Sequence, residues 1–148
     1  MQTLSPILLN EGWNYFFSDH TGVRYDHIDP QTLPWIPLHR LSDWMLSSSA
    51  HRGADWFWRV LTLETHSASD RMILKIDRVP EHVHVYVNGS QVGTARCNRA
   101  FAIDVAPYLV RGDNDILLQL VNARRSNGGR FHDILLQPEF GGIIARAH

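Results

Sequence analysis

The side chains that could do chemistry in this chain fall into small, separate groups, and each group tests a different reaction. Four glutamates, Glu11, Glu64, Glu81 and Glu139, are dispersed along it. None stands in a paired context that would set two carboxyl groups about 5 Å apart for retaining glycoside hydrolysis. Ser47, Ser48 and Ser49 precede His51 and Asp55 and so imitate a nucleophile with its base. No Gly-x-Ser-x-Gly elbow or oxyanion feature accompanies them, and the group reads as a polar loop. His82 and His84 stand two apart on an alternating stretch and project the same way, a spacing that could offer two imidazoles to one metal. A third ligand is not visible nearby, so no metal is expected there. Structural calcium would need several loop oxygens. Asp26 to Asp29 and Asp113 to Asp115 are the only candidates, and the second is more simply a turn. Cys97 lies between Arg96 and Arg99, which could lower its pKa, though an incidental thiol is the simpler reading. There is no phosphate loop, dinucleotide fingerprint or His-Glu-x-x-His, and no cofactor is expected.

A different chemistry suits the arginines and aromatics. A pyranose offers an apolar C–H face and a ring of hydroxyls, so its sites combine an aromatic platform with planar hydrogen-bonding side chains. The stretches 51–56, 96–99 and 124–130 supply both, and Arg52, Trp56, Arg96, Asn98, Arg124, Arg125 and Asn127 are the candidate sugar-binding patch. Lys75 is the single lysine among fourteen basic residues. Codon bias explains that preference, or else some arginines serve bidentate recognition of polar ligands. Against the patch stands a plainer reading, in which Trp56 and Trp58 cover the core and the arginines are solvated.

The elements that would position these residues are strands. Val83, Val85 and Val87 alternate with His82, His84 and Tyr86, which makes one face dry and the other polar or aromatic. Asn88-Gly89 then takes φ > 0 most readily at both centres of a tight turn, so a hairpin is expected there, returning through Gln91 to Gly93. On Asp55 to Leu63, Phe57, Arg59, Leu61 and Leu63 share one face, and Trp56, Trp58, Val60 and Thr62 share the other; both faces must find cover. Further strands are expected at Glu11 to Phe17, Met72 to Ile76, Phe101 to Val105, Ile116 to Val121 and Phe131 to Leu136, the last stopped by Pro138. The stretch from Asp26 to Pro37 carries three prolines and is expected to be a crossing loop pinned by Trp35. Leu41 to Leu46 is expected to make one helical turn, with Ser42 as a cap. Short strands at this spacing imply an all-β sandwich.

Composition sets the outer bounds. The 148 residues fit one domain, 1–148, and no internal disulfide can form with Cys97 alone. A formal charge of −1 argues against a nucleic-acid footprint. No run of eighteen apolar residues marks a membrane span. The N-terminal stretch is a poor signal peptide, lacking a basic region and holding an apolar run of only three residues, which slightly favours a cytoplasmic setting.

Four landmarks then occur in order: Gly53, Trp56, Phe57 and Arg59; the Val-x-Val-Asn-Gly-x-x-Val-Gly hairpin from Val85 to Gly93; Phe101, Asp104 and Val105 followed by Leu109, Gly112 and Asn114; and Gly-Gly-x-Phe-x-Asp-Ile-x-Leu from Gly128 to Leu136. With Gly12, Trp13 and Phe16, this pattern resembles the N-terminal sugar-binding domain of glycoside hydrolase family 2, over about residues 11 to 138. The resemblance implies a galactose-binding-like jelly-roll β-sandwich. It also implies that catalysis belongs to two glutamates of a separate barrel, which is not present in this chain. Where β-galactosidase and β-glucuronidase relatives place a sugar-contacting aspartate before the closing strand, this chain has Ala123, followed by Arg124 and Arg125.

Two functions of different class follow as expectations. One is a non-catalytic carbohydrate-binding module, standing alone or cut from a larger glycosidase, with a carbohydrate or a glycosidase catalytic domain as partner. The other is a structural or protein-interaction sandwich that has lost sugar contact. Exposed edge strands make a homodimer a reasonable expectation for either.

Overall fold

The computed structural model describes residues 6–18, 33–43, 54–66, 70–96, 99–121 and 131–139. Ten strands run through them: β1 (Ile7–Leu8), β2 (Glu11–Ser18), β3 (Ile36–Arg40), β4 (Ala54–Leu63), β5 (Arg71–Ile76), β6 (Val83–Val87), β7 (Ser90–Ala95), β8 (Phe101–Asp104), β9 (Gly112–Val121) and β10 (Ile134–Glu139). Two 3-10 turns, Leu41–Asp43 and Ala106–Tyr108, complete the described elements. The strands pair antiparallel into a four-stranded sheet, β1-β10-β5-β8, and a six-stranded sheet, β3-β2-β4-β9-β6-β7. This is the all-β jelly-roll sandwich that the strand pattern and the family resemblance imply.

The hairpin at Asn88-Gly89 forms as the residue pair dictates. Val87 pairs with Ser90, and both central residues have positive φ, 48° at Asn88 and 88° at Gly89. Asn88 also anchors the turn to the next strand: its Nδ2 donates to Tyr108 O and Asn114 Oδ1, both at 2.8 Å, and its Oδ1 accepts from Asp115 N at 2.8 Å. Asn114, only 1% exposed, receives that bond and in turn donates to Leu61 O, Val110 O and Gly112 O. One buried amide thus satisfies backbone groups that would otherwise be orphaned at this end of the sandwich.

Between the sheets lies a single apolar core. Val83, Val85 and Val87 of β6 are fully buried in it with Phe57, Leu61 and Leu63 of β4 and Leu74, Ile76, Ile134 and Leu136 of the other sheet. Phe131 meets Phe57 edge-on, with ring centroids 4.9 Å apart. Trp13 is enclosed here too, and its Nε1 donates to Leu9 O.

Prolines misled the sequence reading twice. The stretch expected as a loop through Pro37 ends in β3, where Pro37 pairs with Asn14; an edge strand tolerates the missing donor. Pro138 does not stop β10, for it pairs with Met72 beyond the reach of the two-residue β1. Asp113 to Asp115, read as a turn, instead opens β9. The turn expected over Leu41 to Leu46 is present at Leu41–Asp43, and its remainder lies outside the described residues.

Candidate functional site

Register brings the strand ends flanking the three expected sugar-binding stretches to one end of the six-stranded sheet. Asp55 pairs with Leu120, Leu120 with Val83, and Val83 with Ala95. Ala54, Val121 and Arg96 therefore leave the sheet along one rim, spread over three strand spacings, about 14 Å. Of the seven predicted residues, Arg52, Asn98, Arg124, Arg125 and Asn127 lie outside the described residues. Arg96 is exposed at the rim, directly after β7. Trp56 is 0% exposed, which corrects the expected platform at that position: both faces of its indole are already covered.

What covers Trp56 is a second aromatic layer on the outer face of the six-stranded sheet. Ala54, Trp56 and Leu117 are buried there beneath Phe16, Trp35, Trp58 and Tyr86. Two rows of outward side chains cross the sheet. The first, nearest the rim, runs Phe16, Trp56, Gln119, His84 and Thr94. The second runs Asn14, Trp58, Leu117, Tyr86 and Gln91. Trp35, from the segment leading into β3, lays its ring across both rows, 5.5 Å from Trp58 and 6.0 Å from Phe16 by centroid. The expected role of Trp35 as a pin is thereby given a position.

Polar groups are interleaved with the rings and held in place. Trp58 Nε1 donates to Asp115 Oδ1 at 2.8 Å, and the Tyr86 hydroxyl donates to Gln119 Oε1 at 3.2 Å. Gln119 is only 4% exposed. The His84 Nδ1 lies 3.0 Å from Thr94 Oγ1 and accepts from Gln91 Nε2 at 3.2 Å. Burial, and secondarily the neighbouring charge of His82, push the His84 pKa below the usual histidine value. Half-buried Trp35, Trp58 and Tyr86 thus leave ring edges or faces at the surface beside fixed donors and acceptors, a combination that suits the two-sided surface of a sugar ring. Trp56 Nε1, directly beneath, is a buried donor with no acceptor among the described residues.

The remaining candidates resolve differently. Asp55, weighed as part of a serine constellation, is wholly buried and receives the Tyr15 hydroxyl, while Ser47 to His51 lie outside the described residues. Asp113 and Asp115 accept from Thr62 Oγ1 and Trp58 Nε1, and Asp26 to Asp29 lie outside the described residues. Among the described residues no three His, Cys, Asp or Glu side chains converge. Tyr86, Gln119 and Trp58 were missed as a group because strand register, which joins them, is not written in local sequence. The one available signal was the period-two reading of β4, which put Trp56 and Trp58 on a common face.

Comparison with solved structures places this architecture. A β-glucuronidase from Bacteroides uniformis superposes with a TM-score of 0.71 at 23% identity, covering 90% of this chain and 18% of its own. A β-glucuronidase from an uncultured Clostridium sp. gives a TM-score of 0.73 at 15% identity, with coverage of 92% and 29%. A glycosyl hydrolase family 2 member from Bacteroides cellulosilyticus gives 0.68 at 17% identity, with coverage of 93% and 21%. No protein-family model matches the sequence, and no curated protein matches it. This chain spans under a third of the length of those glycosidases, and over nine-tenths or so of its own length it has the β-sandwich fold of a domain of family 2 glycoside hydrolases.

Proposed function

We propose that this chain is a non-catalytic carbohydrate-binding module, related to the sugar-binding domain of family 2 glycoside hydrolases and working alone or beside a glycosidase barrel. The observation that carries the reading is the Trp35–Trp58 ring pair, 5.5 Å apart on the outer sheet face, with Asn14, Asp115, Gln119 and His84 fixed around it. The exposed parts of these rings take the C–H face of a pyranose and Asn14 and His84 beside them meet its hydroxyls, while Asp115 and Gln119 hold Trp58 and Tyr86 in place. Arg96, exposed at the adjacent rim, extends the same surface in this reading, and Arg52, Asn98, Arg124, Arg125 and Asn127 are its further candidates from the sequence. Support also comes from the like-folded structures, whose names describe β-glucuronidases and a family 2 hydrolase.

A structural or interaction role is the second reading, favoured by Ile36 on the edge strand β3, 58% exposed, and Leu8, 64% exposed, next to β10. Titration with neutral and acidic monosaccharides and oligosaccharides, followed by tryptophan fluorescence, separates the two. A binder gives a saturable change that Trp58→Ala and Trp35→Ala each abolish; a scaffold stays flat with every sugar.

A further inference from the structure

Arg59 is out of place by its pattern. It lies on the core-facing side of β4, between Phe57 and Leu61, where the flanking positions Phe57, Leu61 and Leu63 are apolar and buried. The ladder between β2 and β4 ends at the pair Asn14–Trp58, and beyond it the Arg59 side chain takes over the bonding. Its Nε donates to Glu11 O at 2.7 Å and its Nη1 to Val60 O at 3.0 Å. The guanidinium lies across Gly12, whose φ is +81°; a Cβ at that position would stand 3.5 Å from Nε and 4.0 Å from Nη2. Backbone and glycine therefore fix the plane of the fork before any ligand arrives.

That fork has no counter-charge. Among the described residues no carboxylate lies within ion-pair reach of Arg59, and desolvation by burial lowers its pKa. It lines a cleft of about 620 Å³ with Leu8, Asn10, Arg40, His132 and Asp133, a volume within the range of small-ligand sites. The two acids of the cleft are already engaged: Glu11 pairs with Arg40 at 3.8 Å, and Asp133 Oδ1 accepts from Asn10 Nδ2 at 3.2 Å. The formal charges of the cleft therefore balance, Arg40 and Arg59 against Glu11 and Asp133, but no ion pair joins Arg59 to either acid, and the Arg59 Nη2 hydrogens with the second Nη1 hydrogen have no partner among the described residues.

We propose that this cleft is a binding site for a small oxyanion, a carboxylate or a sulfate group, held end-on by the Arg59 guanidinium. The geometry is bidentate, which lysine cannot reproduce. The site opens at the mouth between the two sheets, beside β1 and β10, and does not involve the outer aromatic face. It stands or falls independently of the sugar-binding reading.

The Arg59 Nε–Hε resonance, followed by NMR during titration of the full chain with acetate, citrate and sulfate at constant ionic strength set by chloride, reads the site directly. A saturable shift is expected, with citrate or acetate prevailing if the natural group is a carboxylate and sulfate prevailing if it is a sulfate ester. Arg59→Lys, read by backbone amides of Glu11 and His132, weakens binding at least about tenfold. Ser42→Trp fills the mouth from an exposed position, leaves the Arg59 bonds intact, and likewise abolishes the shift. Shifts no larger than chloride produces, or binding that survives Ser42→Trp unchanged, overturn the proposal.

Discussion

On the inward face of β4, the side chains of Phe57, Leu61 and Leu63 lie in the apolar core between the sheets; on the outward face, Trp56 and Trp58 are layered with Phe16, Trp35 and Tyr86 but interleaved with Asp115 and Gln119. Both faces are aromatic and substantially dry. On the inward face the buried Trp13 Nε1 donates to Leu9 O, whereas on the outward face the buried Trp56 Nε1 has no acceptor among the described residues. Burying a donor unpaired is destabilising, so Trp56 is held by its packing and not by a hydrogen bond of its indole.

Three measurements sharpen or break that contrast. The largest effect is expected from Phe57→Ala, which removes the ring packed on Phe131 and opens a cavity between the sheets, for a loss of about 4 kcal/mol in urea unfolding. Trp58→Ala, on a half-buried ring of the outward face, should lose about half as much, about 2 kcal/mol, while abolishing any sugar response. If the two losses are equal, the outward layer is a second structural core. The next contrast uses tryptophans alone. Trp13→Phe strands the buried Leu9 carbonyl and should lose about 2 kcal/mol, but Trp56→Phe removes an unpaired donor, so relief offsets lost packing to within about 1 kcal/mol.

The smallest effect is a pH dependence. Burial, and then His82, hold the His84 pKa below its usual 6.5, so the unfolded chain binds that proton more readily than the folded one. Its contribution to stability is complete above about pH 6.5 and is lost as pH falls through the folded pKa. Protonation also withdraws the Nδ1 lone pair from Gln91. Urea midpoints compared at about pH 7.5 and about pH 5.5 should show a drop in the native chain that His84→Asn reduces. An unchanged drop would assign the pH dependence to other groups.

The hairpin was readable because Asn-Gly satisfies a backbone requirement that few residue pairs meet, and the two faces of β4 were readable because alternation is a property of the strand itself. Strands β3 and β10 were obscured by Pro37 and Pro138, since proline is a breaker only where a ladder bond is needed on its side. Arg59 was assigned to the correct face, yet nothing local revealed that this face opens into a cleft at its position. Asn114 was legible as part of a turn and as a landmark of the family resemblance; its role as a hub depends on Leu61 and Asn88 arriving from distant strands. The aromatic row of Trp58 and Tyr86 likewise required the register of three strands. Of the rim residues expected to contact sugar, Arg96 is exposed as the sequence suggested and Trp56 is buried, because the outer face carries a covering layer of rings that local sequence does not announce.

The account depends on the outward aromatic face being a place where a pyranose ring settles. Tryptophan fluorescence of the native chain and of Trp35→Ala, titrated with a panel of neutral and acidic oligosaccharides, tests this most directly. The expected result is a saturable change in the native chain that the variant loses while remaining folded by circular dichroism; an identical response from both, or none from either, contradicts it.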